Sequence, residues 1–191
     1  VALTVLFVVT SMQRERGSEL LDLTWSRPLS RASWFVGRLA GFCGVALFLA
    51  LITCVPLAFM LPLERLWPWG VSLVAELSLL ACASLTVAIS VRQVTAAALA
   101  VGLFYVLCRA IDAMVLITRG PTIDTQAWTS GVIAQAVETL ALLLPALDRF
   151  TQSAWLSADL PPSLTPILLQ TAIYMLLLCA LGLFDSYRVD D

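Results

Sequence analysis

Residues 39–61 read LAGFCGVALFLALITCVPLAFML, and this stretch decides the fold. These 23 residues carry no charge. As a helix they rise about 35 Å, enough to cross a hydrocarbon core of about 30 Å. Runs of similar length recur at Val71–Ser90, Ala96–Thr118 and Leu164–Phe184. Of 191 residues, 60% are hydrophobic and 13% charged, whereas a soluble domain carries about a quarter charged residues. The expected fold is an all-α, polytopic membrane helix bundle with about four full spans.

Around those spans the sequence is less regular. Val1–Thr10 is an apolar run without an initiator methionine. Its rise of about 15 Å is half a bilayer core. No basic region precedes it, which argues against a signal peptide, so residues 1–11 are expected to be the second half of a span whose start is missing. Residues 119–163 form a long connection whose middle, Val132–Leu144, reads as an apolar helix. Thirteen residues are too few to span, which points to an interfacial or re-entrant element. Pro145, Pro161 and Pro162 punctuate its exit.

The arginines orient the chain. Arg14, Arg16, Arg27, Arg31, Arg38, Arg92 and Arg188 fall on one side of this arrangement, Arg65, Arg119 and Arg149 on the other, and Arg109 within a span. The positive-inside rule then puts residues 12–38 and the C-terminus in the cytoplasm. Trp67 and Trp69 in a short outer loop, with Trp128 and Trp155 in the long one, suit an aromatic belt at the outer interface.

Residues 12–38 are an amphipathic island holding five of the eleven arginines. Gly17 breaks the first helix, Ser18 can cap another, and Glu19 in its first turn complements the helix dipole. Leu20, Leu21, Leu23 and Trp25 supply an apolar side. Pro28 ends that helix, and Ser30 can cap a second that carries Trp34 and Phe35 into the next span. A two-helix elbow along the membrane surface is expected. An ordinary positive-inside loop would also account for the composition.

Absences narrow the chemistry of these residues. Neither lysine nor histidine occurs, so they contain no phosphate loop ending in Lys-Ser/Thr, no His-Glu-x-x-His zinc site and no serine–histidine–aspartate triad. Cys43, Cys54, Cys82, Cys108 and Cys179 are scattered singly and read as small apolar fillers. A soft-metal path of thiols has no support from their spacing. No catalytic residue, bound cofactor or metal is expected.

Three charges lie within spans: Glu76, Arg109 and Asp112. An ionised side chain at the bilayer centre costs at least roughly 2.5–3.5 kcal/mol, so these should face inward and pair. Arg109 and Asp112, three apart, share a helical face. A Glu76–Arg109–Asp112 cluster is expected, either as an interhelical ion-pair lock or as a polar lining of a substrate route. Gly37, Gly41 and Gly44 near helical spacing suggest close helix packing. The outer helix around Gln135, Glu138 and Thr139 reads as a seal or a gate.

The island, QRERGSELLDLTWSRPLSRASWFVGRLAG over 13–41, resembles the cytoplasmic segment of ABC-2 type transporter permeases. Arg14, Glu15, Arg16, Gly17, Leu20, Leu21, Pro28, Ser30, Arg31, Gly37 and Arg38 match that pattern in kind and order. Ser18 replaces a threonine, Arg38 replaces a lysine, and the spacing before the proline is irregular. Beyond the island, Asp112 and the LLLPALDRF stretch (Leu142–Phe150) loosely resemble permeases of the multi-copper-enzyme-maturation kind.

The resemblance implies a half-transporter of the type V exporter architecture in the inner membrane, with a further one and a half spans before Val1. It also implies a dimer with a second permease copy and a separate ABC ATPase subunit that binds ATP and magnesium. Arg14, Glu15, Arg16, Gly17, Glu19, Leu20, Leu21, Pro28 and Arg31 would dock that ATPase. The alternatives are a non-transporting scaffold of the same fold and an intramembrane lipid-modifying enzyme using Glu76 and Asp112 as an acid/base pair. Nothing points to nucleic acid, and the cargo is not legible.

Overall fold

The computed structural model describes residues 1–16, 31–91, 93–119, 128–152, 154–157 and 163–188. Among them every regular element is helical: α1 (Ala2–Arg16), α2 (Arg31–Ala58), α3 (Leu63–Ser90), α4 (Val94–Arg119), α5 (Trp128–Leu143), a 3-10 turn (Leu147–Arg149), α6 (Ala154–Ser157) and α7 (Leu164–Arg188). Four helices, α2, α3, α4 and α7, are long and apolar enough to cross a membrane. We call the end of the bundle that carries Arg14 and Arg38 the near end, and the opposite one the far end.

The helices are longer than the apolar runs that announced them. α1 continues through Gln13, Arg14 and Glu15, all good helix formers, to Arg16. α2 begins at Arg31, eight residues before Leu39, so both edges of the 12–38 island belong to the flanking helices. α3 begins at Leu63, and Trp67, Pro68 and Trp69 therefore sit within a helix and not in a loop. Pro62 precedes α3 in an extended conformation, and Glu64 lies in its first turn, where the helix dipole favours an acid. With 28 residues, α3 rises about 42 Å and outruns a hydrocarbon core of about 30 Å. Val91, extended, closes it by returning its N–H to the Val87 carbonyl.

α3 is the axis of the bundle. Of its apolar stretch 78% is buried, against 17–22% for α2, α4 and α7. α1, α2, α4 and α7 all pack on it. At the near end Val8 and Met12, Phe35, Leu39 and Phe42, Cys82 and Leu85, and Cys179 and Leu183 form one cluster drawn from four helices. At the far end Ala75, Cys108, Leu144, Leu147, Phe150 and Ile167 form a second. Lipid tails are as apolar as these side chains, so close van der Waals fit and hydrogen bonds hold such helices together.

Gly182 shows that fit. A Cβ there would lie 2.7 Å from two ring atoms of Phe35 and 3.2 Å from Thr86 Oγ1. Gly37, Gly41 and Gly44 do not pack as expected: nothing comes within 4 Å of an added Cβ at any of them. The reason is rotational. Phe35, Leu39, Phe42, Ala46 and Ala50 turn inward, leaving the glycines on the exposed face of α2.

Candidate functional site

The far end holds the bundle's buried charge. Glu76 lies midway along α3 with 1% of its surface exposed. Tyr105, on α4, donates its hydroxyl to Glu76 Oε1 at 3.1 Å. Arg109, one turn further along α4, donates Nη1 to the same oxygen at 3.2 Å. Thr151, in the segment after the 3-10 turn, donates its hydroxyl to Glu76 Oε2 at 2.7 Å. Both carboxylate oxygens are thus satisfied, which burial demands of an ionised group.

Arg109 Nη1 also reaches Thr151 Oγ1 (3.3 Å) and the Leu147 carbonyl (3.4 Å). One guanidinium therefore joins α4, α3 and the 147–151 segment. Ser72, a turn before Glu76 and fully buried, accepts the Thr151 N–H at 3.1 Å. Thr151 has φ +46°, a left-handed conformation that a β-branched residue rarely adopts. The contacts to Ser72, Glu76 and Arg109 hold it there.

Sequence reasoning paired Glu76 with Arg109 correctly, but Asp112 takes another partner. Among the described residues no ion pair joins Arg109 to Asp112. The Asp112 carboxyl stands instead against Asp148 in the 3-10 turn. Asp148 Oδ1 is buried without a hydrogen-bond partner. Burial, and then the facing Asp112 carboxyl, push the pKa of Asp148 up to about 6, against the smaller pull of its own backbone and Arg149. A three-residue spacing puts two side chains on one face but leaves a rotamer choice, and Arg109 turns to α3 while Asp112 turns to the 3-10 turn. Tyr105, Ser72, Thr151 and Asp148 were missed. Tyr105 sits one turn from Arg109, a signal that was present; the other three depend on the path of the chain after α5.

At the near end Arg14 is exposed, and Glu15 pairs with Arg38, tying α1 to α2. Gln13 Nε2 donates to the Val91 carbonyl at 2.9 Å, tying α1 to the α3–α4 turn. Ser90 donates to Asp185 on α7. Arg16 closes α1 and Arg31 opens α2. Gly17, Glu19, Leu20, Leu21 and Pro28, and with them the helical elbow, lie outside the described residues. Gln135, Glu138 and Thr139 lie exposed on α5, which packs on α4.

The thiols are less scattered than their spacing implies. Cys82 and Cys179 meet at 3.8 Å between sulfurs, inside the near-end cluster that Cys43 also joins. No group of three or more His, Cys, Asp or Glu among the described residues is disposed to hold a metal ion.

Among the described residues these features define an all-helical membrane protein in which a buried carboxylate, Glu76, is paired with a partly exposed Arg109, and a Glu15–Arg38 pair ties two helices at the near end. Compared with known protein families, curated proteins and solved structures, the chain has no match.

Proposed function

We propose that this chain is the membrane subunit of an ABC-2 type ATP-driven exporter, coupled through residues 12–38 to separate ATPase subunits and paired with a second permease copy. The carrying observation is the Glu15–Arg38 pair, which ties α1 to α2, the two helices that flank residues 17–30 in the chain. A push on the segment would therefore reach α1 and α2 directly, and α3 through the cluster of Val8, Met12, Phe35 and Cys82. The absence of a lysine-bearing phosphate loop from these residues agrees with ATP and magnesium being bound on another chain. In this reading the segment faces the cytoplasm, and the Glu76–Arg109 lock closes the outer end.

The test is co-purification with a candidate ABC ATPase subunit, combined with ATP hydrolysis in the reconstituted complex. Reversing Arg14 and Glu15 together, or placing proline at Leu21, should abolish both association and stimulated hydrolysis. Normal association and hydrolysis in those variants would refute the coupling role.

A further inference from the structure

Several hydroxyls within the spans settle their hydrogen bonds on their own helix. Thr53 donates to the Leu49 carbonyl at 2.7 Å, Ser84 to Leu80 at 2.7 Å and Thr171 to Ile167 at 2.8 Å. Gln170, beside Thr171 on α7, does not. Its carboxamide offers two donors and an acceptor, and none has a partner among the described residues. Within a bilayer such a group is costly until something in front of it supplies the bond.

What lies in front of it is a groove of about 470 Å³ between the end of α5 and the first half of α7. That size falls within the roughly 300–1,000 Å³ of small-molecule sites. Leu143, Leu169, Ile173 and Leu177 wall the groove, and Gln170 and Tyr174 bring polar atoms to it. Tyr174 donates to the Leu143 carbonyl at 3.3 Å and so ties the two walls together. From Pro166 to Leu177 the groove follows α7 for about 16 Å, the depth of one leaflet of a hydrocarbon core of about 30 Å. A spanning helix from a partner would need about twice that length.

The order of groups along the groove is that of a lipid. With 25 residues α7 rises about 37 Å and overhangs the hydrocarbon core. Side chains on a helix lean toward its N-terminus, which for α7 is the far end. Gln170 therefore lifts its amide toward the level where hydrocarbon meets headgroups, while Ile173 and Leu177 lie deeper. We propose that this groove seats one acyl chain of a phospholipid from the far leaflet, with the Gln170 amide donating to the ester carbonyl at the head of that chain.

Photolabelling tests this without an ATPase or cargo, so its failure would leave the transport role standing. The probe is phosphatidylcholine with a diazirine on its acyl chain, in nanodiscs holding the intact protein, and mass spectrometry locates the adducts. Leu47 and Leu51, exposed on α2 at similar distances from the far end, report ordinary bilayer contact. Labelling of Ile173 and Leu177 should exceed theirs by at least about threefold. An ether-linked form of the same lipid, which lacks the carbonyl, should lower groove labelling about three- to tenfold, the weight of one hydrogen bond in a membrane. Gln170→Leu should do the same, and in that variant the ester and ether lipids should label alike. Groove labelling no higher than that of α2, as a second copy seated there would give, would overturn the proposal. So would equal labelling of the wild-type groove by ester and ether lipids, a comparison that needs no variant to fold.

Discussion

The two ends of the bundle are held by different physics. The near end is an apolar seam: Phe35 lies on Gly182, Thr86 donates to the Leu178 carbonyl at 3.2 Å, and charge stays on the rim, where Glu15 and Arg38 keep about a third of their side chains exposed. The far end encloses a carboxylate and recruits donors from α4 and from a connecting segment to satisfy it. In a bilayer, apolar contact gains no water-exclusion energy between helices. The near end therefore depends on shape, and the far end on chemistry.

The largest effect should come from breaking the chemistry. Arg109→Leu leaves Glu76 buried without its cation, a loss toward the lower end of roughly 3–5 kcal/mol because Arg109 is itself partly exposed. Thermal unfolding in detergent measures it, and adding Glu76→Gln should restore much of the loss. A double variant no better than Arg109→Leu alone would mean that the pair does not act as a unit. Breaking the shape comes next. Gly182→Ala drives a methyl into the Phe35 ring and should cost about 1–3 kcal/mol, while Gly41→Ala, on the open face of α2, should be neutral or slightly stabilising. Equal melting shifts for the two would contradict the seam.

Thr151 separates the contributions at the far end. Alanine and glycine both remove its hydroxyl, but glycine accepts a positive φ, so Thr151→Gly should be more stable than Thr151→Ala by about 1 kcal/mol. The reverse order would show that the backbone there is not strained. The smallest effect belongs to the near-end rim: Arg38→Gln should change stability by at most about 1 kcal/mol, and less in high salt. A larger, salt-independent loss would make that pair part of the core.

The comparison also explains what could be read in advance. Four spans were legible because about twenty apolar residues in a row have one common physical solution. Their ends were not, since Gln13–Arg16 and Arg31–Arg38 lengthen helices without lengthening any apolar run. Glu76 and Arg109 were legible as partners because charge within a span must be neutralised. The glycines of α2 misled, because spacing groups side chains on a face without saying whether that face turns inward.

By itself the sequence determined that the chain is a helical membrane protein, that its spans carry charge requiring a partner, and that these residues hold no lysine-based phosphate loop. Those conclusions follow from composition and run length, which act locally. Only the tertiary structure decided that Asp112 meets Asp148, that Thr151 is forced left-handed onto Ser72 and Glu76, and that Gly182 makes room for Phe35. Each of those is a contact between distant parts of the chain, set by how whole helices rotate and pack.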